Sequence, residues 1–147
     1  MILDANLEFS DAQSIASLSS TSTQISTNVS DLGANGLDGW DESITLDIGE
    51  GGELEWNVQL GVALVGASAA MTVTLVTKAA SATITTSGNT IATLSFPALS
   101  TAGTKKSVKV PSGTVQRYLG VIYTAVTGNV TSSTWDSWVG TDHPTAP

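Results

Sequence analysis

The sequence predicts an all-β protein, a jelly roll or other antiparallel β-sandwich of about eight strands. Serine and threonine make up about a quarter of the 147 residues, and threonine and valine favour pleated, half-buried strands. Turn dipeptides such as Asn35-Gly36 and Gly128-Asn129 separate short apolar runs along the chain. No amphipathic segment of crossover length lies between these runs, so a parallel sheet is not expected.

The candidate strands follow from these runs and turns. Met71–Leu75 and Ser107–Val110 alternate between apolar and polar residues, which is typical of strands with one buried face. The eight candidate strands are residues 28–32, 43–48, 54–65, 71–77, 90–96, 105–110, 116–127 and 132–139.

The first 27 residues differ from this pattern. Ser10-Asp11-Ala12-Gln13 has the spacing of a helix capping box, but the serines and threonines of residues 17–27 do not sustain a helix. We therefore interpret residues 1–27 as an N-terminal arm and Ser/Thr-rich linker, with at most one strand or helical turn. Residues 28–139 form the predicted sandwich, and residues 140–147 form a flexible tail.

The segment from Arg117 to Val126 is apolar on both faces. Leu119 and Tyr123 would lie on one face, and Tyr118 and Ile122 on the other. Two interpretations remain open: a central core strand covered on both sides, or a strand with one face against a second copy of the chain.

The distribution of acidic residues argues against catalysis. From Trp56 to Trp135 the chain runs for 80 residues without Asp or Glu, and it contains no cysteine. Acid–base and metal chemistry draw on carboxylates, histidines or cysteines that converge from distant segments. The single histidine, His143, lies beside Asp142, and adjacent side chains of an extended chain point apart. We therefore expect that the protein is not an enzyme and binds no cofactor or metal. A hydrolase that uses His143 is the weakest alternative.

The net charge of −8 argues against nucleic acid and anionic membranes as partners, because both require a basic surface. It favours a positively charged protein surface instead. The N-terminus lacks the pattern of a signal peptide, and residues 62–70 are too short an apolar run to span a bilayer. An aqueous compartment is therefore expected.

The acidic stretch and the lysine cluster each have two interpretations. The acidic stretch from Asp38 to Glu55 could bind calcium through loop oxygens. It lacks the residue order of a calcium loop, so a solvated acidic surface is favoured. Lys105, Lys106 and Lys109 are predicted to protect the edge of a sheet, or to meet the acidic arm of a second copy. The acidic residues expected to steer a partner are Asp38, Asp41, Glu42, Glu50 and Glu53.

Four tryptophans are many for a chain of this size: Trp40, Trp56, Trp135 and Trp138. Packing in the core or at its rim is the first interpretation, and a protein interface is the second. A carbohydrate site is the third, because Trp135 and Trp138 are three apart and would face opposite sides of a strand.

Several segments resemble the small capsid cement proteins of tailed phages, of the Bordetella-phage type. The opening from Met1 to Gln13 is the most specific of them. Three further segments, Asn28–Gly33, Thr72–Thr77 and Arg117–Gly128, occur in the expected order. The chain departs from the family in the acidic segment of residues 33–53 and in the tail of residues 135–147.

The resemblance implies a jelly-roll virion protein, made in the host cytoplasm, that binds the outer surface of a phage head. It would link neighbouring major capsid proteins as a homodimer. The arm residues expected to contact the capsid or a second copy are Ile2, Leu3, Leu7 and Phe9. The residues expected at a self-association surface or rim are Tyr118, Ile122, Trp135 and Trp138. The alternative function is a β-sandwich module that binds carbohydrate or a cell surface.

Overall fold

The computed structural model describes residues 7–32, 54–79, 84, 88–111 and 115–140, and the backbone alone of residues 36–37 and 43–44. Every regular element in this part of the chain is a β-strand. The strands are β1 Glu8–Ser14, β2 Thr23–Ile25, β3 Ser30–Asp31, β4 Gly36–Leu37, β5 Ser43–Ile44, β6 Glu55–Val65, β7 Ala70–Lys78, β8 Asn89–Phe96, β9 Lys105–Lys109, β10 Tyr118–Thr127 and β11 Ser132–Gly140.

Within the described residues, nine of these strands form two antiparallel sheets. One sheet has the order β1-β11-β6-β9, and the other has the order β2-β10-β7-β8, with β3 also paired to β10. The remaining two, β4 and β5, pair with each other. When β2 and β3 are taken as one interrupted strand, the eight strands pair first with last, second with seventh, third with sixth and fourth with fifth. This is a long hairpin rolled into two sheets, and it confirms the predicted jelly roll.

The interpretation of residues 1–27 as an arm and linker is wrong for residues 8–27. Strand β1 pairs with β11 from Glu8, opposite Trp138, to Ser14, opposite Thr134. Strand β2 pairs with β10 and extends the second sheet. Phe9 is completely buried, as is Ile15 just after β1. The first strand is therefore part of the sandwich, and residues 1–6 and 141–147 lie outside the described chain.

Irregular pairing explains why β1 does not show as a strand in the sequence. Its register against β11 shifts twice, between Glu8 and Ser10 and again between Ser10 and Gln13. Ala12, inside the second shift, has a φ of 45°. Bulges place consecutive residues on one face and so break the alternation that marks a strand. The Ser10–Gln13 spacing does not cap a helix; the Ser10 hydroxyl donates to Gln13 Oε1 at 2.6 Å across the bulge.

Aromatic side chains from both sheets fill the core. Trp135 on β11 packs edge-on against Phe96 on β8, with ring centroids 4.9 Å apart and planes at 89°. Its ring also lies 5.5 Å from that of Tyr123 on β10. Such edge-to-face pairs contribute beyond simple burial of area. The contacts of Trp135 thus join the two sheets, and Trp56 on β6 is also completely buried.

Strand β10 is covered on both faces by the same chain. Leu119 and Tyr123 belong to the main core, whereas Ile122 on the other face packs with Val76 and Ile84 in a smaller cluster. Ile84 is 1% exposed, and its side chain lies directly over Gly120, where a Cβ would come within 3.1 Å of it. The structure favours the interpretation of β10 as a core strand over that of a face left for a second copy.

We predict that Phe9→Ala lowers the free energy of unfolding by about 3–5 kcal/mol, because it removes a fully buried ring and leaves a cavity between the sheets. Chemical denaturation measures this loss. Leu7→Ala is the control, since Leu7 is only half-buried beside the core and should cost clearly less. Equal, small losses for both variants would contradict the placement of β1 in the sandwich.

The turn between β10 and β11 supplies a second test of packing. Gly128 has a φ of +66°, and a Cβ there would lie 2.2 Å from the carbonyl oxygen of Ala67 in the turn after β6. Gly103 has a similar φ of +81°, but nothing lies within 4 Å of its Cβ position. The two glycines share a left-handed backbone and differ only in the space around them.

We predict that Gly103→Ala lowers the free energy of unfolding by about 1–2 kcal/mol, the cost of the left-handed backbone alone. Gly128→Ala should cost about 3–4 kcal/mol, because the new methyl group also displaces a neighbouring turn. Urea titration of both variants compares them. Indistinguishable midpoints would show that the turn at Gly128 is not in contact with the turn at Ala67.

Candidate interaction surfaces

The predicted arm residues separate into two groups. Ile2 and Leu3 lie outside the described residues. Leu7 is half-buried and packs against the main core, and Phe9 is 0% exposed. Phe9 is therefore used inside the chain's own sandwich, and the prediction that it contacts a capsid or a second copy does not hold in this structure.

Trp135 is a core residue, which corrects its placement at a rim or self-association surface. Its side chain is 0% exposed, and its indole Nε1 donates to the Ser133 hydroxyl at 2.8 Å. Trp56 is bonded in the same way to the Ser137 hydroxyl, at 2.9 Å. Buried indoles commonly pair their N–H, and here each finds a serine on β11.

Trp138 lies on the opposite, outer face of β11. Its neighbours across the two adjoining strands are Glu8 on β1 and Asn57 on β6. The Lys105 ammonium nitrogen lies 5.4 Å from its ring centroid, within cation–π range. Trp138 is 8% exposed and Asn57 is 0% exposed, and neither Trp138 Nε1 nor Asn57 Oδ1 has a hydrogen-bond partner. An unpaired donor and an unpaired acceptor therefore lie on neighbouring strands of this face.

Tyr118 and Arg117 form a different group where β3 meets β10. The Arg117 guanidinium donates two hydrogen bonds of 2.9 Å to the carboxylate of Asp31, and it lies 4.7 Å from the Tyr118 ring centroid. The hydrogen bond to Asp31 is the main cause that raises the pKa of Arg117. This exposed ion pair lies at the end of the short β3–β10 pairing. The contact with Arg117 accounts for the position of Tyr118 without a second copy.

Strand β9 is an edge of the four-stranded sheet, as its lysines predict. Lys105 and Lys109 alternate with Ser107 on one face of the strand. Lys106 points the other way, donates to the carbonyl oxygen of Ser95 on β8 at 2.6 Å, and lies 5.3 Å from the Phe96 ring. Lys106 thus bridges the edges of the two sheets, which explains one lysine of the cluster without any ligand.

The predicted acidic surface lies outside the described residues: Asp38, Asp41, Glu42, Glu50 and Glu53. Glu55, at its border, stands opposite Lys109 in the β6–β9 pairing. Among the residues that the structure describes, no group of three or more His, Asp or Glu side chains could hold a metal ion. The same residues include no helix long and apolar enough to cross a membrane.

A buried polar cluster joins β1 to the second sheet. The Tyr123 hydroxyl donates to the Ser10 hydroxyl at 3.0 Å, and Ser10 in turn donates to Gln13. The Gln13 side chain then bonds the carbonyl oxygen of Ile25 at 2.8 Å and the amide of Thr27 at 2.9 Å. Sequence reasoning missed this cluster, because its members are close only after β1 has joined β11.

Burial away from water raises the pKa of Tyr123 well above its ordinary value. Hydrogen bonding to Ser10 and Ser137 offsets only part of this rise. The hydroxyl is therefore locked in its neutral form and enclosed in the core. The cluster supports the fold and is not a place for chemistry on a ligand.

We predict that the protein loses stability as pH rises above about 10, where tyrosine in the unfolded chain ionises while Tyr123 in the folded chain keeps its proton. The folded state then binds more protons, so the free energy of unfolding falls by up to about 1.4 kcal/mol per pH unit. Below this range the contribution is fully present.

Tyr123→Phe tests the source of this slope. It should lower stability at neutral pH by about 1–2 kcal/mol, through the lost bond to Ser10, and flatten the alkaline decline. Denaturant titrations between pH 8 and 11.5 measure both effects. Tyr118→Phe, which changes a half-buried tyrosine on the outer face, should keep the full slope. An unchanged slope in Tyr123→Phe would exclude Tyr123 as its source.

A sequence profile of the Bbp16 family matches residues 9–139. The chain belongs to the Bbp16 family. The family name points to a protein of a Bordetella phage, and membership indicates a phage virion protein. A comparison with curated proteins finds no match.

The Bbp16 match covers the strands of the sandwich rather than the opening segment Met1–Gln13, which was the most specific part of the resemblance. The match begins at Phe9, inside β1, so most of the opening segment precedes it. It extends to Val139, so β11 with both of its tryptophans belongs to the family domain and is not an added tail.

Proposed function

We propose that this Bbp16 protein is a capsid cement protein. It binds the outer surface of a phage head as a homodimer and links neighbouring major capsid proteins. The observation that carries the proposal is the family match over residues 9–139, which runs from the second residue of β1 to the penultimate residue of β11. The resemblance of several segments to capsid cement proteins gives the finer role.

A rigid sandwich suits this role because cement must resist the outward pressure on a head without changing shape. Here the first and last strands pair, and the Trp135 indole and the Tyr123 hydroxyl join the two sheets. Each copy need bind only modestly, since a dimer that spans two capsid subunits makes its second contact intramolecularly. This gain in avidity is on the order of 10²–10⁴.

Charge is the proposed basis of attraction. The chain carries a net charge of −8, and ten of its 13 acids fall within residues 4–53. An acidic surface steers association with a basic patch on the capsid, and salt weakens such steering. Ile2 and Leu3, which lie outside the described residues, are the arm residues proposed to make an apolar contact with the capsid.

The alternative of a carbohydrate-binding module gains no support from the described tryptophans. Stacking on a sugar requires an exposed aromatic face, but Trp56 and Trp135 are 0% exposed and Trp138 is 8% exposed. A glycan array with the intact protein tests this alternative directly, and reproducible binding lost in Trp138→Ala would revive it.

Co-sedimentation with phage heads that lack the protein tests the cement proposal. We predict saturable binding that raises the temperature at which heads disrupt. In 0.5 M salt, where the Debye length is about 4 Å, the affinity should fall about tenfold or more. Deletion of residues 1–6 should weaken binding while leaving the melting temperature of the free protein unchanged.

A matched pair of charge variants locates the attraction. Glu50→Gln with Glu53→Gln should weaken head binding, whereas Glu8→Gln with Asp11→Asn removes the same charge from β1 and should weaken it less. Failure of the wild-type protein to sediment with heads at any salt concentration would contradict the proposed function.

A further inference from the structure

The two sheets have their edge strands β8 and β9 on the same side of the sandwich. On the opposite side, where β1 and β2 are the edges, the chain pairs its own edge groups. There the Asn28 amide donates to the Phe9 carbonyl oxygen at 2.9 Å, and the Gln24 side-chain amide donates to that of Ser14 at 3.3 Å. Among the described residues, β8 pairs with β7 and with no second strand. The edge of β8 is therefore open to a strand from elsewhere.

Strand β8 itself lacks the devices that usually protect a sheet edge. An exposed edge carries unpaired N–H and C=O groups, which native proteins protect with charged residues, proline or bulges. Neither a charged residue nor a proline occurs in β8. Its pairing with β7 is regular from Ala92 to Phe96, with a register shift before Ala92, and Pro97 follows. The strand thus presents a short regular edge, bounded by an irregularity and a proline.

The backbone groups of Thr93 and Ser95 point away from β7. In an antiparallel pair, residues that exchange hydrogen bonds alternate with residues whose N–H and C=O point outward. Thr93 is of the second kind, because its hydroxyl lies 3.4 Å from that of Thr74 directly opposite, and side chains are closer in such pairs. Ser95, two residues on, has the same orientation, and its carbonyl oxygen accepts from Lys106 on β9. These are the groups that an added strand would bond.

Lys106 covers part of this edge. Its ammonium nitrogen lies 2.6 Å from the Ser95 carbonyl oxygen and 5.3 Å from the Phe96 ring centroid. A strand that pairs with Ser95 must displace this ammonium group, which a flexible lysine stem allows. Association of two copies through β8 would displace two such groups, whereas a strand of a different protein displaces one. The geometry therefore favours a different protein as the source of the strand.

We infer that the free edge of β8 binds an extended segment of the major capsid protein as an added strand. In this mode of recognition main-chain hydrogen bonds supply the affinity, here to Thr93 and Ser95. The edge is bordered by the lysines of β9, and residues 88–111 contain no Asp or Glu. A capsid segment that carries carboxylates therefore fits this edge, because Lys106 can pair with a carboxylate once it leaves Ser95.

The inference deepens the proposed function and rests on it for the identity of the partner. A regular edge from Ala92 to Phe96 offers few main-chain hydrogen bonds, so one copy binds weakly by itself. Weak single contacts suit a protein whose hold on the capsid comes from linked contacts. The edge is also separate from the acidic residues proposed to steer association, so the two contributions can be tested apart.

Thr93→Pro and Thr93→Val form a matched pair for this test. Proline removes the outward N–H, and edge strands tolerate proline at such positions. Valine keeps the N–H and favours a strand. In co-sedimentation with phage heads that lack the protein, Thr93→Pro should bind at least about tenfold more weakly than Thr93→Val. Melting temperatures of both free variants show whether the sandwich is intact.

Photo-cross-linking gives an independent readout. The chain contains no cysteine, so a single introduced cysteine can carry a benzophenone maleimide. The Thr93 side chain is exposed on the outer face of the sheet, so a label on Thr93→Cys leaves the backbone edge clear. Irradiation on heads should cross-link it to one segment of the major capsid protein, which mass spectrometry identifies. Ser14→Cys places the same label on exposed Ser14 of β1, at the closed side, and should give little product.

Full binding of heads by a folded Thr93→Pro variant would overturn strand addition and leave the cement role intact. Cross-linking from Thr93→Cys no stronger than from Ser14→Cys would do the same. If Thr93→Pro lowers the melting temperature of the free protein, the cross-linking comparison decides. A wild-type protein that does not sediment with heads would reject the cement role, and the inferred strand addition with it.

Discussion

The antiparallel pairing of β1 with β11 is the contact on which the rest of the fold depends. It places Phe9 and Ile15 over the core and brings Ser10 beneath the Tyr123 hydroxyl. From there Gln13 reaches the backbone of the next segment at Ile25 and Thr27. Because a buried polar group without a partner is costly, the cluster specifies one register for β1. The bulges are the geometry that lets Ser10 and Gln13 face inward together.

Closure of the sandwich determines which surfaces remain for recognition. Trp56 on β6 and Trp135 on the inner face of β11 are buried in the core. Lys106 on the edge strand β9 donates a hydrogen bond to Ser95 on the edge strand β8. Among the described residues, the large hydrophobic side chains that stay exposed are Val62, Val65, Leu99 and Val126.

Much of the sandwich could be predicted from the sequence, because its central strands follow simple periodicity. The predicted strands 54–65, 71–77, 105–110 and 132–139 correspond closely to β6, β7, β9 and β11. Strand β1 could not be found in this way, because its two register shifts break alternation, and β2 is only three residues long in a serine- and threonine-rich segment. Trp135 and Trp138 were correctly expected on opposite faces, but burial of Trp135 depends on packing against Phe96. The polar cluster of Ser10, Gln13 and Tyr123 depends on distant segments converging, which local patterns do not contain.

Amide hydrogen exchange tests the role of β1 most directly. Peptides covering residues 8–14 and 132–140 should exchange together, at the slow rate set by global unfolding, because the two strands share one ladder and one core. Peptides covering the turn at residues 97–104 should exchange faster. If residues 8–14 exchange rapidly while residues 132–140 stay protected, the N-terminal segment is a detachable arm, and the closure of the sandwich by its first strand is wrong.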